Sequence, residues 1–226
     1  MTAHTALHSL PLFPLGSVLF PQGLLSLRVF EVRYLDMIRK CERTGAPFGV
    51  VALQAGSEVR KAGAAAEQLH AVGTLARIVQ LQQPQPGLLH LQCEGTQRFR
   101  MQDHRQLPHG LWVADVQMLP ADAAVPVPDH LLATAQALAQ VLMQLHARST
   151  DADHARLPSA EQMGDCGWVA NRWTELLPMP VSIKQQLMAL DSPLVRLELV
   201  ADVLERSGIG HAQGPAPGSP SAGRSE

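Results

Sequence analysis

Lysine is scarce in this chain. Its 226 residues include only Lys40, Lys61 and Lys184. No glycine is followed by lysine, so the G-x-x-x-x-G-K-[ST] loop that cradles nucleotide phosphates is missing and P-loop ATPase chemistry is excluded. A Ser–Lys protease dyad has few places to form. Lys184 stands two residues after Ser182, in a segment that reads as the start of a helix rather than as a nucleophile and its base. Cysteine is scarce too: Cys41, Cys93 and Cys166 are odd in number, widely spaced and without a CxxC pair. That pattern excludes a zinc ribbon or a disulfide framework and fits small buried apolar residues. The ten histidines show no HExxH. His104 and His109, with Pro108 between them, have no metal-ligand spacing. Asp151, Asp153 and His154 fall in a polar stretch and read as solvated. Cys166 follows Asp165 but lies on an apolar helical stripe, where a buried thiol is inert. No catalytic, cofactor or metal residue is therefore expected, and the chain reads as a non-enzyme. No run of about 18–20 apolar residues is long enough to span a membrane. The first 27 residues lack Lys and Arg, so the basic region of a signal peptide is missing as well. A soluble cytoplasmic protein without membrane contact is the expectation.

What is present is enough apolar material, 46% of residues, to build a core. The net charge of −2 argues weakly against an obligatory nucleic-acid partner. Charge is uneven: residues 1–120 hold 11 Lys+Arg and 8 Asp+Glu, and residues 121–226 hold 7 and 12. The opening run SLPLFPLGSVLFPQGLLSLRVFEVRY, residues 9–34, is nearly all apolar between prolines and glycines, and ends in the mixed cluster Phe30–Tyr34.

The first half reads as strands with one helix. Leu24–Val29 suits a buried strand. Glu31 to about Arg43 follows as a helix, with Tyr34, Leu35, Ile38 and Cys41 at helical spacing, stopped by Gly45 and Pro47. Phe48–Leu53 is β-rich, residues 55–68 read as a loop, and Val72–Leu81 as a strand. QQPQPG, 82–87, marks a turn. Leu89, Leu91 and Cys93 alternate with polar residues as a half-buried strand requires. Gly95 predicts a bulge or bend, and Leu111–Met118 is a last strand.

Beyond Pro120, Pro126 and Pro128 the patterns are helical. Leu131, Ala135, Leu138, Leu142 and Leu145 form one stripe, with Asp129 as candidate cap. Ser159 and Gln162 fit a capping box for a helix carrying Met163, Cys166, Ala170, Trp173 and Leu177. Trp168 falls off that stripe and is expected toward the β region. A third helix runs from about Ser182 to Leu190 with Ile183, Leu187 and Leu190 inside. A fourth starts at Ser192-Pro193, buries Leu194, Leu197, Ala201 and Leu204, and stops at Gly208. The layout predicted is 1–120 β-rich, 121–207 a helical bundle, and 208–226 a disordered tail.

LPLFPLGSVLFP at 10–21, VFEVRY at 29–34, FGVV at 48–51, VGTLARI at 72–78, CEGTQRFRM at 93–101 and KQQLMALDSPLVRLE at 184–198 occur in order and at sensible spacing. Together they make the chain resemble stand-alone Lon N-terminal domain proteins from residue 9 to about 206. The resemblance implies an α+β fold: a PUA-like β pseudo-barrel with an early helix, followed by a C-terminal helical bundle. It also implies a substrate-binding part without the ATPase or the protease, bound to polypeptide segments or a partner protein, including unfolded chains. The sequence leaves the oligomeric state and the partner's identity open.

Two groups stand out as candidate site residues. Arg28, Phe30, Glu31, Arg33 and Tyr34 form the family-motif corner, either a partner-binding surface or, on the blander and stronger reading, a structural strand-to-helix corner. Arg98, Arg100 and Arg105, with His104 and His109 nearby, form a basic stretch. Since PUA-like folds include RNA binders, this stretch carries the alternative of RNA binding through the β region, against the simpler reading of a solvated strand face.

Overall fold

In the computed structural model, residues 5–56, 67–148 and 157–208 are described. The loop expected at 55–68, most of the stretch around 151–154 and the tail beyond 208 lie largely or wholly outside them.

The proline-broken opening run is a strand, β1 (Ala6–Leu15). It tolerates Pro11 and Pro14 because its two halves pair with different neighbours. Ala6–Leu12 runs antiparallel to β6 (Trp112–Met118), and Leu12–Leu15 runs parallel to β3 (Phe48–Ala55). Each proline thus has one ladder to satisfy, as at a sheet edge, where a missing N–H is harmless. β2 (Leu24–Val29) leads into α1 (Val32–Thr44). β4 (Gln68–Gln85) and β5 (Leu88–Gln106) form one long hairpin, turned at Pro86 and at Gly87, whose φ is +80°. The turn is thus narrower than QQPQPG implied. The sheet order is β2-β5-β4-β3-β1-β6, and an added β5–β6 pairing closes β1, β3, β4, β5 and β6 into a ring. β5 is long enough to serve two partners, β2 along Leu89–Glu94 and β6 along Phe99–Gln106.

Alternation along these strands builds two apolar layers. Leu12, Val51, Leu75, Phe99 and Val116, one from each strand of the ring, fill its interior. The opposite side chains, among them Phe13, Val50, Leu89 and Cys93, pack with Tyr34, Leu35 and Ile38 of α1. The bulge predicted at Gly95 is present: β5 takes an extra residue where Thr74 pairs Arg98 but Ala76 pairs Gly95. A side chain cannot fit there, since a Cβ on Gly95 would lie 2.2 Å from the Phe20 carbonyl oxygen.

A 3-10 turn, Asp129–Leu131, opens the helical part. It is followed by α2 (Leu132–Arg148), α3 (Ala160–Met163), α4 (Cys166–Leu176), α5 (Val181–Ala189) and α6 (Pro193–Arg206). Four details correct the sequence reading. Asp129 does not cap; Pro128 precedes the turn and no side chain closes it. The helix expected from Ser159 to Leu177 is two. Its capping box forms on α3, but the chain breaks at Gly164, and Asp165 starts α4 afresh by accepting a hydrogen bond from Trp168 N at 2.8 Å. On α5, Ile183 faces outward at 39% exposure, while Gln185 and Met188 are buried beside Leu187. The α2 stripe is buried only as far as Leu138; Leu145 is exposed. α6 behaves as predicted, with Pro193 in its first turn and Ser192 capping Val195. Trp173 and Trp168 both belong to the bundle core.

Candidate functional site

The two candidate groups come apart in the structure. At the strand-to-helix corner, Arg33 is buried at 7% exposure. Its Nη1 donates to the Gly110 carbonyl at 2.7 Å and its Nε to Glu31 at 3.0 Å. Its guanidinium lies 4.5 Å above the Tyr34 ring, and that ring stacks on Phe13 at 4.2 Å. Glu31, Arg33 and Tyr34 thus join α1 to Gly110 and to Phe13 of β1. Arg28 and Phe30 are exposed, and Phe30 (55%) is joined by Val32 (71%). The basic stretch is not one surface. Arg100 and Arg105 are exposed, but Arg98 is buried at 4% exposure, because helices cover that part of β5. Alternation with Phe99 put Arg98 opposite the ring interior, and it could not show that this opposite face is covered as well. Arg98 is withdrawn from any nucleic-acid patch.

Arg98 points into the seam between the ring and the helices. Its Nη1 donates to the carbonyls of Met188 (2.9 Å) and Leu190 (2.8 Å), at the end of α5, and its Nη2 to Asp122 at 2.9 Å. Arg196, 1% exposed, meets it from α6. It donates to Asp122 at 2.6 Å, Asn171 at 2.9 Å and the Leu187 carbonyl at 3.0 Å. The last carbonyls of a helix lack intrahelical donors, and cations are favoured at that end, so two arginines from different elements close α5. Burial pulls the Arg98 guanidinium down, opposed chiefly by Asp122. A second lock lies between α4 and the segment joining β1 to β2. Arg172 donates to the carbonyls of Gln22 and Pro21, both at 2.9 Å, and pairs with Glu175 at 3.0 Å. Burial pushes the Glu175 carboxyl up to about 7, against the pull of Arg172 and Lys184. A small apolar contact of Phe20, Val72 and Met188 completes the seam.

Beside these locks the ring and α5 leave a cleft of ≈ 610 Å³. β3 and β4 form one wall, with Gln54, His70 and Val72; α5 forms the other, with Ser182, Gln185 and Gln186. Among the described residues, its lining holds no carboxylate or guanidinium, and His70 is the one titratable side chain. The volume lies within the range typical of ligand pockets. Sequence reasoning found none of Asp122, Asn171, Arg172, Gln185 or Arg196. A signal existed for two of them: Arg172 and Arg196 each interrupt an apolar helical run. Among the described residues, no group of three or more His, Cys, Asp or Glu could hold a metal ion. No helix among them is long and apolar enough to cross a membrane.

The chain matches the family model of the ATP-dependent protease La (LON) substrate-binding domain over residues 9–206. It belongs to that family. The crystal structure of a Lon N-terminal domain protein from Xanthomonas campestris is similar at 34% identity and a TM-score of 0.64, covering 87% of this chain and 98% of that one. The N-terminal domain of Lon protease from the Mycobacterium avium complex shares the fold, at 15% identity and a TM-score of 0.54, covering 86% and 96%. Lon protease of Anaeromyxobacter dehalogenans (strain 2CP-C) is 27% identical over 203 residues, which are 87% of this chain and 23% of that protein. Lon protease of Brevibacillus choshinensis is 25% identical over 196 residues, 86% and 24% respectively. The chain thus spans about a quarter of the length of the curated relatives it matches. The α+β architecture, sheet first and helices after, is that of the Lon N-terminal domain.

Proposed function

We propose that this protein is a non-catalytic polypeptide-binding module that acts in the cytoplasm and recognises segments of other proteins without hydrolysing ATP or peptide bonds. The observation that carries the reading is the cleft between the ring and α5, on a chain whose matching family is a substrate-binding domain. Such a cleft binds by burying side chains against walls already in place, which keeps the ordering cost low. Arg28, Phe30 and Val32 offer a second, smaller contact at the strand-to-helix corner. Phe30 and Val32 expose apolar surface beside a cation, a composition suited to peptide rather than to phosphate backbone. The three thiols add no nucleophile: burial raises all of them, Cys93 to about 12 and Cys166 to about 11, far from the thiolate that attack requires.

The test is fluorescence anisotropy of a labelled, reduced and carboxymethylated protein that cannot fold, titrated with this chain, alongside ATPase and peptidase assays on the same gel-filtration fractions. Saturable binding without turnover is expected. Absence of binding up to a millimolar concentration, or turnover that follows the protein peak, overturns the reading.

A further inference from the structure

We propose that β2 is a self-association edge: two copies of this chain pair their β2 strands antiparallel about a two-fold axis at Ser26, which joins their sheets into one. The inference is independent of polypeptide binding, and no residue of β2 lines the cleft.

The edge is open. Of the six described strands, β2 alone lies outside the ring, and β5 is its one ladder partner. The residues around it fix which way its backbone groups point. The Gly23 carbonyl accepts a hydrogen bond from Gly95 N at 2.8 Å, and the Leu25 carbonyl accepts one from the Cys93 thiol at 3.5 Å. Both carbonyls therefore face β5. Backbone groups alternate along an antiparallel strand, so the N–H and C=O of Leu24, Ser26 and Arg28 point to the open side. Among the described residues, no hydrogen bond beyond the β2–β5 ladder reaches these three. Open edges are usually blunted by proline, lysine or a bulge. β2 has neither proline nor lysine, and its six residues pair with β5 in unbroken register.

Self-complementarity decides the occupant. Outward residues must meet outward residues for their groups to bond. One antiparallel register satisfies all three at once: Ser26 opposite Ser26 of the second copy, and Leu24 opposite Arg28 in both directions. A slip of two residues leaves one of the three unpaired on each copy. A two-fold contact of this kind uses the same patch twice.

The side chains agree with that register. Arg28 is exposed and makes no ion pair among the described residues. Pairing sets it beside Leu24 of the second copy, whose neighbour on β5 is Glu94. Arg77 engages that carboxylate from the far side, which leaves the near side to Arg28. The two strands between them span about 10 Å, a gap that an arginine and a glutamate side chain bridge together. Symmetry makes the pair twice, while the two Arg28 residues stay about 13 Å apart. On the opposite face Leu25 and Leu27 are only half-buried, and each is covered by the other from the second copy. In the dimer Arg28 turns to Glu94, so the corner contact offered to other chains rests on Phe30 and Val32. One strand edge buries less than the ~800 Å² per partner of a standard interface, so the dimer is reversible, with a dissociation constant of about 10–100 µM.

The experiment is sedimentation velocity of the full chain from about 1 µM to about 1 mM, joined to disulfide trapping. A monomer–dimer equilibrium is expected. Ser26→Pro should abolish it and leave the urea midpoint unchanged, because the Ser26 N–H takes no part in the fold and proline is tolerated at such an edge. Ser26→Lys tests the same point without proline and should weaken dimerisation about tenfold. Under mild oxidation Ser26→Cys should give a crosslinked dimer, its Cα atoms lying about 5.5 Å apart across the axis. Leu24→Cys should not, since its counterpart is about 13 Å away. The native cysteines are buried and stay out of the reaction. A chain still monomeric at about 1 mM, a dimer unaffected by both Ser26 variants, or equal crosslinking through Leu24→Cys and Ser26→Cys overturns the inference.

Discussion

The interior of the ring and the seam between ring and helices are both buried, yet they are held by opposite chemistry. The ring interior is aliphatic and aromatic, with side chains from all five strands. Its stability comes from area removed from water and from close packing. In the seam, three arginines reach backbone carbonyls, two of them sharing one aspartate. Apolar packing is non-directional, and conservative swaps are tolerated when volume is kept. Arginines bonded to carbonyls are directional, and a lost partner leaves a buried group unsatisfied. The ring should therefore fail as a whole, and the seam should fail by letting the helices go.

The largest effects test that contrast directly. Phe99→Ala should cost about 3–5 kcal/mol and shift a single urea transition without splitting it. Arg196→Met should cost a similar ~3–5 kcal/mol but separate unfolding into two steps. Cys166 reports on the bundle and Cys93 on the ring, both being buried thiols. Arg196→Met should thus expose Cys166 to a thiol reagent before Cys93. Simultaneous labelling of both would show that ring and bundle unfold as one unit.

Next in size is the pH response of the second lock. The Glu175 carboxyl titrates near 4.5 when free and at about 7 in the fold. Below 4.5 it is protonated in both states and its contribution is fully present; as pH rises through 7 the fold loses it. Glu175→Gln should flatten the stability profile between pH 5 and 8. An unchanged slope in urea melts across that range would show that Arg172 keeps the group ionised throughout.

Gly95→Ala should cost roughly 1–3 kcal/mol, because the new methyl meets the Phe20 carbonyl and pushes the β1–β2 connection off the ring. Smallest of all is Val32→Ser. Val32 is 71% exposed, so stability should move by less than ~0.5 kcal/mol, while affinity for an unfolded chain drops if the corner contributes to binding.

The sequence showed the ring better than the seam, and the reason is physical. Strand alternation and helical stripes report burial against apolar neighbours, so Phe48–Leu53, Leu89–Cys93 and the α6 face were legible. β1 was obscured by its prolines, which become harmless only because its partners change at Leu12. Gln185 and Arg98 could not be found by hydropathy at all. Both are polar residues buried against carbonyls that belong to distant parts of the chain. The Ile183 stripe failed for the same reason: α5 turns its polar Gln185 inward because Val72 offers it an acceptor. Of the candidate site, the corner residues were visible as a motif, whereas the cleft exists only once β4 and α5 are placed side by side.

The parallel and antiparallel partners of β1 have a consequence for biosynthesis. β1 is made before β6 and cannot close the ring until that strand, some hundred residues later, is available. At about 5–20 residues per second, the ribosome leaves that apolar strand with an open flank for roughly 5–20 seconds. For that interval the growing chain carries a half-paired apolar strand edge, the kind of surface that chaperones and aggregation both act on.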